Sequence, residues 1–286
     1  MKPELLAYLD KIDHLIDLAL QEDMPDGDIT TEAIIPDEVQ TSAVILAKQD
    51  GVLAGIDVAL RVFTRVDNRV NSVKRKEDGQ EFKLGEILAE LEGPAASILK
   101  AERTALNFLQ RLCGVATLTR EFVRAVEGTR AKILDTRKTT PGWRILEKYA
   151  VRMGGGKNHR LNLSEMMLIK DNHIRAAGGI ASALKKARAY LGQKGLKGIK
   201  IEVETTSLDE VREALENGAD WIMLDNMAPE QIKAAVAFVD RRVPLEVSGK
   251  VRLENVRSLA LTGVDYISVG ALTHSFRSAD ISLEFL

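Results

Sequence analysis

The chain has 286 residues, with 40 lysine and arginine residues against 42 aspartate and glutamate residues and a formal net charge of −2. Hydrophobic residues make up 45% and charged residues 29%, which is typical of a globular protein and excludes disordered, fibrous and collagen-like chains. The length fits two domains, or a single α/β barrel of about 250 residues.

The single cysteine, Cys113, excludes an internal disulfide and a zinc site built from several cysteines. We therefore expect a reducing, cytoplasmic location. The sequence lacks the apolar run of roughly 18 residues that a membrane span needs. It also begins with acidic residues and not with the basic start and apolar core of a signal peptide. We expect no membrane association.

Basic residues are concentrated in one part of the chain. Residues 137–175 hold nine lysine and arginine residues and three acidic ones, a local charge of +6, which leaves −8 for the rest. This asymmetry predicts an anionic ligand bound at one place. A nucleic-acid partner is not expected, because the remainder is acidic and aromatic residues make up only 5%. A solvated surface patch is the alternative interpretation.

The N-terminal part combines short helical and strand patterns. Apolar residues from Leu5 to Ala19 recur at spacings of three and four, which predicts an amphipathic helix that ends at a turn over 24–28. The elements predicted next are strands at Ser42–Ala47, Val52–Ala54, Asn71–Lys76 and Glu86–Glu92, a helix near Val58–Phe63, and a long helix over about Ala96–Ala116. We interpret this part as a small α+β unit.

From Ala131 onward, short apolar runs alternate with helical segments. The runs are Ala131–Leu134, Met166–Ile169, Ile199–Val203, Trp221–Leu224, Pro244–Val247 and Tyr266–Val269, and the helices between the last four are Leu208–Glu216, Pro229–Val239 and Leu253–Leu261. This alternation predicts a parallel sheet covered by helices. Six units favour a barrel, with an open doubly wound sheet as the alternative. Ser207 and Glu210 have the spacing of a capping box, and Gly218 and Gly263 stand where helices end.

Polar residues follow all six apolar runs at the same point. They are Asp135, Arg137 and Lys138, then Lys170, Glu204, Asp225, Ser248 with Gly249, and Gly270. Because the C-terminal ends of barrel strands form the active site, we expect these residues to meet in one pocket. A lone strand-terminal aspartate is more often a helix cap, so the prediction depends on the repetition.

Two kinds of charge would meet in that pocket. The basic set is Arg137, Lys138, Lys157, His159, Arg160 and Lys170, which suits a phosphorylated or polycarboxylate ligand. Glu204 and Asp225 suit Mg²⁺, sugar hydroxyls or positive charge developing on a ribose carbon, or they neutralise the cations. The glycines at 154–156 fit a phosphate-binding loop and a flexible loop equally well.

Longer motifs occur in order along the chain. They are Glu102–Asn107, Asp135–Gly142, Lys157–Leu161, Ile169–His173, Leu224–Asn226, Ser248-Gly249 and Ser268–His274. Together they resemble the quinolinate phosphoribosyltransferase family from about Glu22 to the C-terminus. The resemblance implies an α/β class protein, with an N-terminal α/β sandwich domain over 1–115 and an open, incomplete α/β barrel over 116–286. The segment at about 275–286 would pack back on the first domain.

The resemblance also implies an activity. Quinolinate and phosphoribosyl pyrophosphate, with Mg²⁺ as cofactor, would give nicotinate mononucleotide, pyrophosphate and CO₂ in de novo NAD biosynthesis. The chain would form a homodimer or homohexamer with active sites shared between subunits. The side chains implied for the quinolinate carboxylates are Arg103, contributed by a neighbouring copy, and Arg137, His159, Arg160 and Lys170.

The resemblance assigns the remaining roles to the strand ends. Lys138, Glu204 and Asp225 would be catalytic, and Glu204 and Asp225 would serve the ribose and the Mg²⁺ ion. The other substrate-binding residues that it implies are Thr136, Ser248, Gly249, Lys250, Val269, Gly270, Ala271 and His274. Of these, the serine and glycines would receive the 5′-phosphate. Lys250 departs from the glycine or asparagine that is more common in the family.

Three other functions are compatible with the residues. A member of the same family acting on another acceptor, such as the one linked to molybdenum transport, would bind phosphoribosyl pyrophosphate without using quinolinate. A Schiff-base aldolase would use Lys138 or Lys170 as its nucleophile. A non-catalytic module binding phosphate or nucleic acid would need only the basic segment.

Overall fold

The computed structural model describes residues 2–286, which fall into two compact units. The N-terminal unit contains the chain up to Arg120 together with Thr140–Gly155 and Ser275–Leu286, and the barrel unit contains Glu121–Thr139 and Gly156–His274. A domain boundary at residues 115 and 116 stays a prediction. Within residues 2–286, no helix is both long enough and apolar enough to cross a membrane.

Helices and strands alternate along the chain. The helices are α1 Pro3–Leu6, α2 Leu9–Asp23, α3 Ile29–Ile34, α4 Ile56–Val66, α5 Ala95–Ala125, α6 Arg144–Met153, α7 Asp171–Ala177, α8 Ile180–Lys194, α9 Leu208–Glu216, α10 Pro229–Val239, α11 Leu253–Ala260 and α12 Ala271–His274. The strands are β1 Gln40–Ala47, β2 Gly51–Val52, β3 Asn71–Lys74, β4 Glu81–Phe82, β5 Ile87–Pro94, β6 Lys132–Leu134, β7 Met167–Ile169, β8 Ile201–Thr205, β9 Trp221–Asp225, β10 Leu245–Ser248, β11 Tyr266–Ser268 and β12 Ile281–Phe285.

The N-terminal unit is built on an antiparallel sheet with the strand order β12-β1-β5-β3. The last strand of the chain therefore lies beside the first, with Ile45 opposite Leu283. The amphipathic helix predicted from Leu5 to Ala19 is interrupted at Tyr8, which has a non-helical φ of −123° and is the N-cap of α2. Ile12 and Ile16 on α2 are buried, as the apolar spacing predicts.

The barrel unit contains a parallel sheet with the strand order β6-β11-β10-β9-β8-β7. β6 and β7 are the two edges of this sheet, so the barrel is open, and this confirms the predicted α/β class with an open, incomplete barrel. Side chains two residues apart on a strand share a face. Glu202 and Glu204 on β8 therefore face the same side at different depths, as do Glu246 and Ser248 on β10.

The helix-end predictions in the barrel unit are confirmed in part. Gly218 and Gly263 have φ of 81° and 94°, the left-handed region that favours glycine. The Ser207 side chain accepts from the Glu210 N–H at 3.2 Å. The second half of the capping box is wrong, because Glu210 Oε2 accepts from the Thr206 N–H at 2.6 Å.

Gly154, the first of the three glycines at 154–156, has a packing role. Gly154 ends α6, and a Cβ at this position would overlap the Ala116 carbonyl and the Thr119 side chain of α5. Glycine is needed there because the two helices approach closely. None of the three glycines is among the residues that line the barrel cavity described below.

Candidate active site

The C-terminal strand ends of the barrel unit enclose a cavity of about 610 Å³. This volume lies in the range of small-molecule sites. The predicted site residues that line it are Thr136, Arg137, Lys138, His159, Arg160, Lys170, Glu204, Asp225, Ser248, Gly249 and Lys250. The other lining residues are Asp135, Leu168, Met223, Asn226, Glu246 and Ser268. The structure therefore brings together eleven of the predicted residues and draws on all six parallel strands.

Residues in the segment 269–274 contact Lys138, which lines the cavity. A Cβ at Gly270 would lie 3.1 Å from both Lys138 Cδ and His274 Nε2, so the glycine lets these two side chains pack against its backbone. The Thr273 hydroxyl donates to the Lys138 carbonyl at 2.8 Å. Val269 is buried beside the last strand, and its N–H donates to the Leu134 carbonyl at 2.9 Å.

Five predicted residues lie outside the cavity lining, namely Val269, Gly270 and His274, which are described above, and Ala271 and Arg103. Ala271 begins α12, directly after Gly270. Arg103 belongs to the N-terminal unit and is exposed on α5. Its role in the active site of a neighbouring copy stays a prediction.

Two guanidinium groups share the cavity wall. Arg160 donates to the Met166 carbonyl at 2.9 Å, and its burial together with the neighbouring Arg137 lowers the pKa of its guanidinium. Within residues 2–286, the Nε of Arg137 is buried and has no hydrogen-bond partner. An arginine N–H that is buried without an acceptor is costly, so this wall is suited to an anionic ligand.

Glu204 and Asp225 lie at the ends of the adjacent strands β8 and β9. Burial raises the pKa of Glu204, and the like charge of Asp225 adds to this effect while Lys170 opposes it. Lys170 Nζ lies 3.6 Å from Glu204 Oε2. Asp225 Oδ2 accepts from the Asn226 amide at 2.6 Å. The carboxylates are thus close enough to interact and remain partly exposed to the cavity.

Asp135 is fully buried and organises the segment that carries two of the predicted ligand contacts. One carboxylate oxygen accepts from the His159 N–H at 2.8 Å, and the other accepts from the Asn158 amide at 2.5 Å. It therefore does not cap a helix, the role that a lone strand-terminal aspartate often has. It holds the backbone that presents His159 and Arg160 to the cavity.

Two buried glutamates, one at the bottom of the cavity and one beneath it, were not predicted as site residues from the sequence. Glu202 and Glu246 are completely buried, and burial raises the pKa of each to about 8. His159 Nε2 lies 2.9 Å from Glu202 Oε2. The signal was present, because the runs predicted at 199–203 and 244–247 each contain a glutamate in an otherwise apolar stretch. A charged residue inside a buried strand indicates a partner or a function.

Family models match nearly the whole chain. Residues 28–113 match the N-terminal domain of quinolinate phosphoribosyl transferase, and residues 115–284 match its C-terminal domain. The chain belongs to the quinolinate phosphoribosyltransferase family.

Individual relatives agree with this family. A probable nicotinate-nucleotide pyrophosphorylase (carboxylating) of Bacillus subtilis is 46% identical over 92% of this chain and 89% of its own. The mitochondrial quinolinate phosphoribosyltransferase (decarboxylating) 2 of Nicotiana glauca is 45% identical over 94% of this chain and 81% of its own. The solved nicotinate-nucleotide pyrophosphorylase of Francisella tularensis has a TM-score of 0.93 and 40% identity, covering 100% of this chain and 98% of that one. The resemblance inferred from the motifs is confirmed.

Proposed function

We propose that this chain transfers a phosphoribosyl group from phosphoribosyl pyrophosphate to quinolinate and releases CO₂, giving nicotinate mononucleotide in NAD biosynthesis. The observation that carries the proposal is the buried, unpartnered Nε of Arg137 beside Arg160 in the barrel cavity. Two neighbouring guanidinium groups suit a ligand with two adjacent carboxylates, because each planar group can hold one carboxylate through paired hydrogen bonds. The family membership supplies the identity of that ligand.

The cationic residues would bind and orient quinolinate. Arg137, Arg160 and Lys170 would hold its carboxylates, and His159 would add a hydrogen bond. This arrangement presents the ring nitrogen to the ribose carbon, so that part of the barrier is removed by orientation alone. Lys138, Ser248 and Gly249 would bind the phosphate groups of the second substrate.

The carboxylates would act at the ribose. The bond from C1′ to pyrophosphate breaks as the bond from C1′ to the ring nitrogen forms, and positive charge develops on the ribose meanwhile. Glu204 and Asp225 would stabilise that charge. Loss of CO₂ then leaves an electron pair on ring carbon 2. The neighbouring pyridinium nitrogen stabilises this pair until it takes up a proton.

The same two carboxylates fit a magnesium ion. Mg²⁺ prefers carboxylate oxygens together with substrate phosphates, and Glu204 and Asp225 offer carboxylates from adjacent strands at the side of the cavity where Ser248 lies. When bound, the ion would neutralise charge on the pyrophosphate. A cation at this place would offset the repulsion from Asp225 that contributes to the raised pKa of Glu204.

The test is an assay with quinolinate, phosphoribosyl pyrophosphate and Mg²⁺, in which nicotinate mononucleotide and CO₂ are measured. We expect both products in equal amounts. Parallel reactions with nicotinate replacing quinolinate should show little product, because one carboxylate is missing. Binding of phosphoribosyl pyrophosphate without turnover of quinolinate would instead identify a family member that uses another acceptor.

The proposal includes a homo-oligomer, a dimer or a hexamer, in which Arg103 completes the site of a neighbouring copy. Mixing Arg103→Ala chains with Lys138→Ala chains should then restore part of the activity, because some sites combine two intact contributions. Mass spectrometry would confirm that subunits have exchanged. Exchange without any recovery would show that each site is formed by one chain.

The proposal also includes a cytoplasmic location. The free and buried Cys113, whose thiol pKa is raised by burial, suits a reducing compartment. Relatives from plants carry mitochondrial or chloroplastic names. Fractionation of the source cells would test this part.

A further inference from the structure

Two glutamates and a histidine lie together at the floor of the barrel cavity, where His159 and Glu246 line the cavity and Glu202 is buried beneath them. His159 Nε2 is 2.9 Å from Glu202 Oε2 and 3.6 Å from Glu246 Oε2. The two glutamate side chains are 0% exposed, and the histidine side chain is 7% exposed. The interior of an α/β barrel at this depth is normally filled by branched apolar residues. The charged residues here therefore require an explanation.

Burying two carboxyl groups side by side is energetically unfavourable. The Ser268 hydroxyl donates to Glu246 Oε1 at 2.6 Å, and Glu202 Oε2 interacts with the histidine. In the described part of the chain, Glu202 Oε1 and Glu246 Oε2 have no donor partner. A proton held between the two carboxyl groups would give each oxygen a partner. An apolar pair of similar volume would be less costly, so stability alone does not account for this cluster.

Contacts with Asp135, Glu202 and Trp221 restrict the position and orientation of His159. Its backbone N–H donates to Asp135 Oδ1 at 2.8 Å, which places the residue. The contact between Nε2 and Glu202 sets the rotation of the ring. The edge of the ring packs against Trp221, with 6.2 Å between the ring centres. His159 lines the cavity while it makes these contacts.

We propose that Glu202 and Glu246 are positioning residues that fix the orientation of the His159 imidazole and thereby set the affinity for an aromatic dicarboxylate. Glu202 acts directly through its contact with Nε2. Glu246, anchored by Ser268, supports Glu202 and stands as a second acceptor for the same nitrogen. A ring that is already oriented loses less freedom when the ligand binds. The inference rests on the proposed quinolinate site.

Steady-state kinetics of Glu202→Gln, Glu246→Gln and His159→Ala test the proposal. Glutamine keeps the volume of the side chain and removes the acidic acceptor. We expect Glu202→Gln to raise the KM for quinolinate by about tenfold and Glu246→Gln by about threefold. The KM for phosphoribosyl pyrophosphate should change by less than about twofold, because His159 is assigned to quinolinate and not to the phosphates. An equal rise in both KM values would overturn the proposal.

A double-mutant cycle separates action through His159 from direct contact with the substrate. If the glutamates act through the histidine, then adding Glu202→Gln or Glu246→Gln to His159→Ala should have no further effect on the KM for quinolinate. Glu246 lines the cavity itself, so a direct contact is the competing explanation. Additive effects of Glu246→Gln and His159→Ala would establish that contact and would overturn the proposal for Glu246.

A spectroscopic measurement makes the outcome independent of turnover. In ¹⁵N spectra of the ligand-free protein, we expect a single narrow His159 ring signal, because the ring is held in one orientation. This signal should broaden or shift in Glu202→Gln. An unchanged His159 signal in that variant would overturn the proposal even if the enzyme assay succeeds. Conversely, if the wild-type protein is inactive in the assay, the proposed function is refuted. The orientation of the His159 ring can still be tested by the ¹⁵N spectra.

Two controls remove general effects of substitution. Thr262 is buried, and its hydroxyl donates to the Leu259 carbonyl at 2.6 Å, but it does not line the cavity. Thr262→Val therefore loses a buried hydrogen bond of the barrel unit and should leave the KM for quinolinate unchanged.

If a glutamate variant fails to fold, Ser268→Ala tests the same cluster, because it removes the hydroxyl that donates to Glu246. Titration with Zn²⁺ and Mn²⁺ checks the competing possibility of a metal site, and stoichiometric binding lost in Glu246→Gln would overturn the proposal.

Discussion

The rim and the floor of the barrel cavity use the same residue types in opposite ways. On β8, the rim residue Glu204 and the floor residue Glu202 are two positions apart and face the same side of the strand. At the rim, Lys170 has a side chain that is 51% exposed and faces a partly exposed Glu204 at 3.6 Å. At the floor, the completely buried Glu202 contacts His159 at 2.9 Å. Rim charges are available to a ligand, whereas floor charges are directed at each other.

Depth changes the chemistry of a carboxyl group. Burial raises the pKa of Glu202 and Glu246 to about 8, so this pair keeps a proton between its carboxyl groups near neutral pH. Glu204 is only half-buried and has Lys170 nearby, which limits the rise of its pKa. In its ionised form, Glu204 can oppose positive charge on a ribose. A group that keeps its proton can orient a neighbour without repelling an anionic substrate.

Substitution at the rim should have the largest effect, and Arg137→Ala tests this directly. We expect kcat/KM for quinolinate to fall by about 10³-fold, because a buried carboxylate of the ligand would lose its arginine partner. Isothermal titration with quinolinate gives the matching loss of affinity. Arg188→Ala is the control, since Arg188 pairs with Asp220 at the surface of the same unit and should leave the kinetics unchanged. If Arg137→Ala binds quinolinate with wild-type affinity, Arg137 does not contact this substrate.

The acidic side of the rim should affect turnover more than binding. Glu204→Gln and Asp225→Asn keep the shape of the side chains and remove their charges. We expect kcat to fall by about 10²-fold in each, because stabilisation of the developing ribosyl charge is lost. The Kd for quinolinate alone should change by less than about threefold, since Glu204 and Asp225 are assigned to the ribose. A large loss of quinolinate affinity at unchanged kcat would assign them to the other substrate.

The rim could be predicted from the sequence, whereas the floor could not. Charged residues that directly follow apolar runs indicate strand ends. The first and last residues of α9 and α10 match the predicted bounds. The helices α6, α7 and α8 were missed. Both missed glutamates lie inside runs that were interpreted as apolar. The alternation of Ile201, Glu202 and Val203 shows that a polar residue faces the barrel interior.

Partners at the floor depend on contacts that no local pattern reveals. Glu202 and Glu246 come from β8 and β10, which are separated by β9 in the sheet, and the histidine comes from an irregular segment. Only the curvature of the barrel brings these three together. The sequence therefore indicates that each glutamate is unusual, and the fold shows which residue each one contacts.

Ionisation of the floor should make stability depend on pH, with a smaller effect than the rim substitutions. A carboxyl group whose pKa is about 8 when folded and near 4.5 when unfolded keeps its full stabilisation below about pH 4.5. That stabilisation is lost as the pH rises through 8. The free energy of unfolding should decrease by up to about 1.4 kcal/mol per pH unit for each such proton.

Glu246→Gln tests this expectation, because the amide cannot ionise and still accepts from Ser268. Unfolding by urea at pH 5, 7 and 9 should show a shallower decline than in the wild-type protein. The variant should become the more stable of the two at pH 9. Parallel curves for the two proteins would mean that Glu246 does not hold a proton in the folded state.

The smallest expected effect concerns Lys250, which lines the rim with a left-handed φ of 52°. A lysine in this region is strained, and asparagine tolerates the conformation better. Lys250→Asn should therefore raise the free energy of unfolding by about 0.5 kcal/mol. It should also raise the KM for phosphoribosyl pyrophosphate by about threefold, through loss of one cation near Ser248.

A matched variant separates backbone strain from the lost charge of Lys250. Arg241 has a left-handed φ of 62° and is exposed outside the cavity. Arg241→Asn should give a similar gain in stability with no change in either KM. Equal kinetics in the two asparagine variants would show that Lys250 does not reach the substrate. The rim would then bind phosphate through Lys138 and the backbone of Ser248 and Gly249.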